Sequence, residues 1–343
     1  MANLTDYLYW RGDLSLSCLP FNPVDGLILS WLISLPVTQP LPDTLGALAG
    51  TLTDRVSEKH RPFVQALSRS ARFRTMKLLR FEEKFSEPEE MQFAALTLLT
   101  GDGHAYIAFR GTDASLVGWK ENFNMAFTEE VPAQREAVRW LNAAPADLPL
   151  RVGGHSKGGN LAVYAAARCS PSVRRRIVQV HNFDGPGLHP NVFNSPEYRD
   201  VEPRISSYLP ESSIVGILLE RSARYHVIRS SATGPLQHDP YSWQVTPDGF
   251  VHRPGLSSES LFADRTIRSW LASMSDDQRE KFVDALYEIV TATDAATLGE
   301  LSENWPESGL EMLGAFAGLD LRTRMLLLQS IAKLVRSAAA NLQ

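Results

Sequence analysis

One serine lies between glycines at the junction of a predicted strand and a predicted helix. Residues 150–164 read LRVGGHSKGGNLAVY. Within them the pattern G-x-S-x-G is formed by Gly154, His155, Ser156, Lys157 and Gly158. Glycines two positions either side of the serine let the backbone and a neighbouring strand approach without a Cβ clash, so the hydroxyl can be held on a tight turn. The pattern predicts Ser156 as a nucleophile and the backbone N–H of Lys157 as an oxyanion donor.

A serine hydroxyl is a poor nucleophile without a general base. In the strand–serine–helix arrangement the base follows the serine in the chain, on a loop after a late strand. The histidines in that part of the chain are His181, His189, His226, His238 and His252. His181 and His226 fall within predicted strands, where a histidine is usually a satisfied core or face residue. His189 comes early and His252 lies at the exit to the C-terminal region. His238, on a turn-rich loop after the strand ending near residue 229, is the predicted base.

Two carboxylates are candidates for the acid that orients this base. Asp184 ends the predicted strand 177–183 and begins a glycine-rich turn, at the sheet edge where active sites of open α/β folds form. Glu211 follows the next strand, which is the more common position for the acid. We predict Asp184 and keep Glu211 as the alternative. Asp239 adjoins His238 in sequence, which makes orientation of that imidazole awkward.

The second oxyanion donor is expected on the loop after an earlier central strand. Residues 108–113 leave a predicted strand through Gly111 into Thr112 and Asp113. The backbone N–H or the hydroxyl of Thr112 is therefore a candidate donor. The same two residues can cap a helix over residues 116–123, and both roles are compatible.

The apolar pattern predicts the elements that position these residues. Residues 4–86 have helical spacing, and the strands after them alternate with helices, which indicates a mainly parallel sheet covered on both faces. The predicted strands are 93–99, 105–109, 150–152, 177–183, 205–209 and 225–229. The predicted helices are 132–141, 157–167, a short one at 214–219, and then 260–274, 276–290 and 311–342. We expect an α/β fold with a hydrolase domain over 1–255, mostly helical over 1–90, and a helical extension over 256–343 packed on it.

Composition excludes several classes of protein. The 343 residues include 34 Lys and Arg against 39 Asp and Glu, a net charge of −5, so nucleic acid is not an expected partner. Cys18 and Cys169 are too few for a disulfide framework or a cysteine metal site, which fits a cytoplasmic location. The N-terminus has no signal pattern, and the longest apolar stretch, residues 26–37, is shorter than the roughly 20 residues of a membrane span. Peripheral membrane contact and a homodimer through the helical tail stay open. No metal or cofactor is expected.

Several segments resemble known families. Three features resemble the class 3 lipases. They are FRGT followed by Trp119, the GHSxGG segment around Ser156, and a late histidine followed by Trp243. A larger set resembles a bacterial family of lipase-like α/β hydrolases long catalogued as a domain of unknown function, over residues 7–296. Its segments are WRGDLSL, AFRGTDASLVGWKENFNMAF, VPAQ, GGHSKGGNLAVYAA, FDGPG, SIVG and QHDPYSW.

This resemblance implies an α/β-hydrolase fold with Ser156 as nucleophile, His238 as base and Thr112 near the oxyanion hole. Where the class 3 lipases have their acid, in an Asp-Ile-Val-Pro-like segment, this chain has Ser213 and continues IVG. The acid role must therefore move to Asp184 or Glu211. The expected function is hydrolysis of an acyl ester or lipid through an acyl-enzyme, without a cofactor. The alternatives are an amidase or peptidase on the same triad, or a non-catalytic binding protein that retains the fold.

Overall fold

A computed structural model describes residues 1–37, 39–113, 115–293 and 305–341, omitting the side chains of 305–310. Eight strands form one sheet in the order β1-β2-β3-β4-β5-β6-β7-β10. They are β1 Lys77–Ser86, β2 Met91–Leu99, β3 Ala105–Phe109, β4 Leu150–His155, β5 Ile177–Phe183, β6 Ile205–Pro210, β7 His226–Ile228 and β10 His252–Arg253. Strands β8 Val245–Thr246 and β9 Gly249–Phe250 pair separately. Strands β3 to β7 are parallel to one another, so their carboxyl ends share one edge.

Helices precede the sheet, connect its parallel strands and follow it. Their bounds are α1 Leu4–Arg11, α2 Pro23–Leu32, α3 Leu45–Leu52, α4 Arg61–Arg69, α5 Leu116–Asn124, α6 Pro132–Asn142, α7 Lys157–Arg168, α8 Pro171–Arg174, α9 Pro190–Phe193, α10 Pro196–Val201, α11 Ser258–Ala272, α12 Asp276–Thr291, α13 Trp305–Gly318 and α14 Leu321–Asn341. Residues 294–304 and 342–343 of the predicted tail lie outside the described residues. Among the helices that are described, none combines the length and apolar character needed to span a bilayer.

Two adjacent glycines on β4 show that helices cover both faces of the sheet. A Cβ on Gly153 would lie 3.0 Å from Ser30 Oγ on α2, whereas one on Gly154 would lie 2.2 Å from the carbonyl carbon of Gly158 on α7. Successive strand residues point to opposite faces, so α2 and α7 lie on opposite sides of β4. The α/β architecture predicted from the sequence is confirmed.

Three predicted elements are wrong. The single helix predicted over residues 311–342 is divided, because α13 ends at Gly318 and α14 begins at Leu321. Residues 77–86, assigned to the helical N-terminal region, form β1, an edge strand that buries Leu78 and Phe81 but is otherwise rich in charge. Charged residues protect a sheet edge from pairing with other chains, and they obscured the strand pattern. The predicted helix over residues 214–219 is a series of turns. Within it, the Gly216 N–H turns toward Asp184, as described below.

The chain divides into two compact units. The first contains residues 1–84, 93–111 and 133–260, and the second contains 85–92, 112–132 and 261–343. The first unit holds the large apolar core that extends from α1 to β9. The second has a small core of Ala285, Leu319 and Leu327. The expected domain boundary at residue 255, and the packing of the extension on the first domain, stay predictions.

A buried ion pair joins the segments of the N-terminal helical region. Arg72 and Asp25 are 2% and 0% exposed, and Arg72 Nη2 lies 2.5 Å from Asp25 Oδ2. The same guanidinium donates to the carbonyl oxygens of Leu14, Leu19 and Pro20. Such a pair is stable in the core only because every charge and lone pair has a partner.

His181 is an unusual member of the core. It is fully buried on β5 and stacks on Phe183, with ring centroids 5.5 Å apart and planes 9° apart. Within the described part of the chain neither ring nitrogen has a hydrogen-bond partner. The sequence indicated a core histidine whose ring nitrogens are hydrogen-bonded. The burial is therefore as expected, whereas the lack of hydrogen bonds is not. Burial, aided by the charge of Arg151, lowers the pKa of His181 to about 3.

This histidine should make the fold sensitive to acid. Its folded pKa lies below the unfolded value of about 6.5, so below that pH the unfolded chain binds a proton that the folded chain refuses. Stability is therefore retained above pH 6.5 and lost as the pH falls toward 3. His181→Phe should reduce the difference in unfolding free energy between pH 7 and pH 5 by about 2 kcal/mol. Urea unfolding of both proteins at the two pH values measures it, and equal differences would contradict the assignment.

Candidate active site

Ser156 occupies a strained turn between β4 and α7. Its φ and ψ are 58° and −132°, a conformation that a non-glycine residue rarely adopts. The turn is secured from both sides, because the Ser156 N–H donates to the Phe183 carbonyl at 2.9 Å and the Gly159 N–H donates to the Ser156 carbonyl at 2.8 Å. The serine is partly exposed, whereas the residues on either side of it are buried.

The glycines of the motif are required by close approach. A Cβ on Gly158 would lie 2.1 Å from the carbonyl oxygen of Phe109 at the end of β3. A Cβ on Gly154 would overlap the backbone of Gly158 itself, at 2.2 Å. The spacing G-x-S-x-G thus allows α7 to begin directly at the end of β4 and against β3.

His238 and Asp184 form a hydrogen-bonded pair. His238 Nδ1 lies 2.6 Å from Asp184 Oδ2, although the two residues are 54 positions apart in the chain. The Asp184 side chain is 1% exposed and that of His238 is 31% exposed. A carboxylate only accepts hydrogen bonds, so Nδ1 carries the proton and Nε2 keeps a lone pair. A neutral imidazole with a lone pair on Nε2 can accept a proton from a nucleophile.

The second oxygen of Asp184 is held by the turn that follows β6. Ser213 Oγ donates to Asp184 Oδ1 at 2.5 Å, and the Gly216 N–H donates to the same oxygen at 3.2 Å. Ser213 is buried, and a Cβ on Gly216 would lie 2.5 Å from this oxygen. The serine that stands where the class 3 lipases have their acid therefore binds the carboxylate of Asp184. These bonds fix the orientation of the carboxylate toward His238.

Glu211, the alternative acid, has a different partner. Its Oε2 accepts from Arg253 Nε at 2.7 Å, and the pair is partly exposed. Its backbone carbonyl accepts the Ser257 N–H at 2.7 Å. The structure thus brings Asp184, and not Glu211, to the predicted base.

His155 contacts the predicted base from the side of β4. Its Nε2 lies 2.8 Å from the carbonyl oxygen of His238, and the two ring centroids are 4.6 Å apart. Because a carbonyl only accepts, Nε2 of His155 donates the proton. Burial, reinforced by the neighbouring His238, holds the pKa of His155 well below its usual range, so the ring stays neutral. The sequence analysis treated His155 only as the variable residue before the serine of the elbow. The feature that could have revealed its contact with His238 is a histidine at the buried end of a strand.

The elbow and the histidine–aspartate pair lie at the same place on the sheet. Asp184 follows Phe183, whose carbonyl accepts the Ser156 N–H, and a Cβ on Gly185 would lie 2.4 Å from the Ser156 carbonyl oxygen. His155, next to the serine, contacts His238. Ser156 and Asp184 thus follow the carboxyl ends of β4 and β5, and His238 contacts their neighbourhood from the loop after β7.

The two predicted oxyanion donors belong to different units. Lys157 is the first residue of α7, where backbone N–H groups have no partner within the helix. Its side chain is 1% exposed, so it is not a solvated surface residue. Thr112 lies in the second unit, where its Oγ1 accepts from Asn122 at 2.6 Å. The N-cap residue of α5 is Ser115. The expectation that Thr112 or Asp113 caps this helix is therefore wrong. The oxyanion roles of Lys157 and Thr112 stay predictions.

The other candidate histidines are engaged elsewhere. His181 lies in the core, and the His189 side chain accepts the Asn191 N–H at the start of α9. His226 and His252 contact each other on β7 and β10, with ring centroids 5.5 Å apart. Over the described ranges, no three His, Cys, Asp or Glu side chains are grouped as metal ligands would be.

The mainly parallel sheet has helices on both faces and a serine turn between β4 and α7, and this architecture is the α/β-hydrolase fold. Residues 67–288 match the model of the Mbeg1-like family, and the chain belongs to that family. The family is lipase-like, which supports a hydrolase of the lipase type.

The chain was also compared with curated proteins and with solved structures. No curated protein matches the sequence. Among solved structures, the chain is similar to one described as the crystal structure of M37 lipase, with 15% identity and a TM-score of 0.36. The similarity covers 56% of this chain and 68% of that one.

Proposed function

We propose that this protein is a serine hydrolase that cleaves carboxylic esters, of the esterase, lipase or lysophospholipase type, through an acyl-enzyme. The observation that carries the proposal is the hydrogen bond between His238 and the buried Asp184, next to the elbow that carries Ser156. A buried carboxylate on the Nδ1 side of a histidine keeps Nε2 available as a base. Family membership and fold support the same class.

The chemistry follows from the protonation states. His238 Nε2 takes the proton of Ser156 Oγ as this oxygen attacks the ester carbonyl, and Asp184 stabilises the imidazolium. The Lys157 N–H would hold the oxyanion. His238 then returns the proton to the leaving alcohol. Water attacks the acyl-enzyme by the same route, releasing the acid and restoring the serine.

The hypothesis of a non-catalytic binding protein was motivated by the missing class 3 acid. Asp184 in contact with His238 supplies a carboxylate in that role, which favours an enzyme. An amidase or peptidase would use the same residues and differ in its leaving group. The choice between ester and amide is therefore an outcome of the experiment below.

The test is hydrolysis of p-nitrophenyl esters from acetate to palmitate, with labelling by a fluorophosphonate. Wild type should turn over at least one ester and be labelled. Ser156→Ala should lose labelling and at least about 10³-fold in kcat, because no other group forms the acyl-enzyme. Ser172→Ala, which removes an exposed serine near α7, is the matched control and should behave as wild type.

Each outcome has a distinct meaning. The preferred chain length separates a small-ester enzyme from a lipid enzyme. Labelling of Ser156 without turnover of any ester would point to an amidase. A correctly folded wild type that is neither labelled nor active would overturn the proposal.

A further inference from the structure

Within the described part of the chain, helix α14, Leu321–Asn341, is anchored through one face. Leu327 on this helix is 3% exposed and packs with Ala285 of α12 and with Leu319. The carbonyl of Ser330 accepts the Trp270 Nε1–H at 2.8 Å. These contacts fix which side of α14 faces its own unit.

The opposite face is apolar and exposed. Its large aliphatic side chains are each between 49% and 66% exposed: Leu321, Met325, Leu328, Ile331 and Val335. They recur three and four residues apart, so they form one continuous ridge along the helix. Isolated exposed apolar residues are ordinary, but a ridge of this length marks a surface that is covered in use.

The charged side chains of this helix all have one sign. Residues 321–343 contain Arg322, Arg324, Lys333 and Arg336 and no Asp or Glu, in a chain whose net charge is −5. At 3.6 residues per turn, Arg322 and Arg336 lie along one side of the ridge, and Arg324 lies within its opposite margin. Asp320, just before the helix, accepts the N–H groups of Arg322 and Thr323 as a cap.

We propose that α14 is a docking surface for anionic lipid, lying in the plane of a bilayer with its apolar ridge among the upper acyl chains. An apolar ridge flanked by arginines is the composition of interfacial helices, whose cations meet lipid phosphates while their aliphatic stems remain in the apolar layer. Positive charge attracts the helix to an anionic surface, and apolar burial retains it there.

The charge pattern favours lipid over a second copy of the chain. Pairing two α14 ridges would bring the four cations of each copy together, with no carboxylate on either helix to compensate them. Like charges across an interface are costly. An anionic bilayer instead supplies the opposite charge. This proposal is independent of the proposed esterase activity, because it concerns binding alone.

The test is co-sedimentation of the full-length protein with vesicles of phosphatidylcholine, and with vesicles of phosphatidylcholine and phosphatidylglycerol in equal amounts. Wild type should bind only the anionic vesicles, and less so at high salt. The double variant Arg322→Gln, Arg336→Gln should bind the anionic vesicles about 10- to 30-fold more weakly than wild type. Leu328→Gln with Val335→Gln should weaken it about tenfold or more.

Matched controls lie outside α14. Arg175→Gln removes an exposed arginine from the run 174–176, and Val178→Gln removes a 46% exposed aliphatic side chain from β5. Both should bind as wild type does, and circular dichroism should show all variants folded.

Four results would overturn the proposal. They are no binding by wild type, equal binding to both vesicles, binding that the α14 variants retain, and a concentration-dependent dimer that these variants dissociate.

Discussion

Asp184→Asn is expected to lower kcat for ester hydrolysis by about 10⁴-fold with little change in fold. An asparagine presents its NH₂ or its oxygen to His238 Nδ1 without a negative charge. If the NH₂ faces the ring, Nδ1 becomes the acceptor and the proton moves to Nε2, which is the nitrogen that must take the proton of Ser156. In either orientation the imidazolium loses its stabilising charge. The measurement is steady-state kinetics with the best p-nitrophenyl ester.

Glu211→Gln is the matched control for this prediction, because it makes the same chemical change in the alternative acid. Glu211 pairs with Arg253 at a partly exposed site, so kcat should stay within about twofold of wild type. Ser213→Ala should give an intermediate loss, since it removes one hydrogen bond from the carboxylate but leaves its charge. Equal loss in the two carboxylate variants, or loss only in Glu211→Gln, would show that the wrong acid was chosen.

Arg72→Met should lower the free energy of unfolding by about 3–5 kcal/mol. The change leaves Asp25 buried without its cation, next to the Tyr7 hydroxyl, and it leaves the carbonyls of Leu14 and Leu19 without this donor. An uncompensated charge in the core costs far more than the pair contributes, so this should be the largest stability effect outside the apolar core. Urea unfolding at neutral pH measures it.

The control for Arg72 is an ion pair at the surface. Lys281 and Asp277 lie 2.9 Å apart with side chains 62% and 67% exposed, and Lys281→Gln should cost less than about 0.5 kcal/mol. Adding Asp25→Leu to Arg72→Met should recover part of the lost stability, because it removes the unpaired carboxylate. If Arg72→Met costs no more than Lys281→Gln, the buried pair does not have the assigned role.

The sequence by itself determined the class of the fold and the turn that carries the candidate nucleophile. Alternating strands and helices depend on local apolar spacing, and the elbow depends on glycines within two residues of Ser156. Both are local properties that can be read along the chain. His238 was also selected by chain order and loop position. The edge strand β1 was missed because its charged residues mask the alternation of a strand.

Only the tertiary structure decided which carboxylate contacts the predicted base, what holds that carboxylate there and which face of α14 is exposed. Asp184 and Glu211 both follow strands of the sheet, and their positions along the chain do not distinguish them. Ser213 and His155 contribute through contacts with Asp184 and His238 that connect distant segments. Such contacts depend on strand register and on turns with unusual backbone angles, such as the φ of 51° at Asp184. These are properties of the assembled sheet, because hydrogen bonds between remote segments form only once packing has fixed their relative positions.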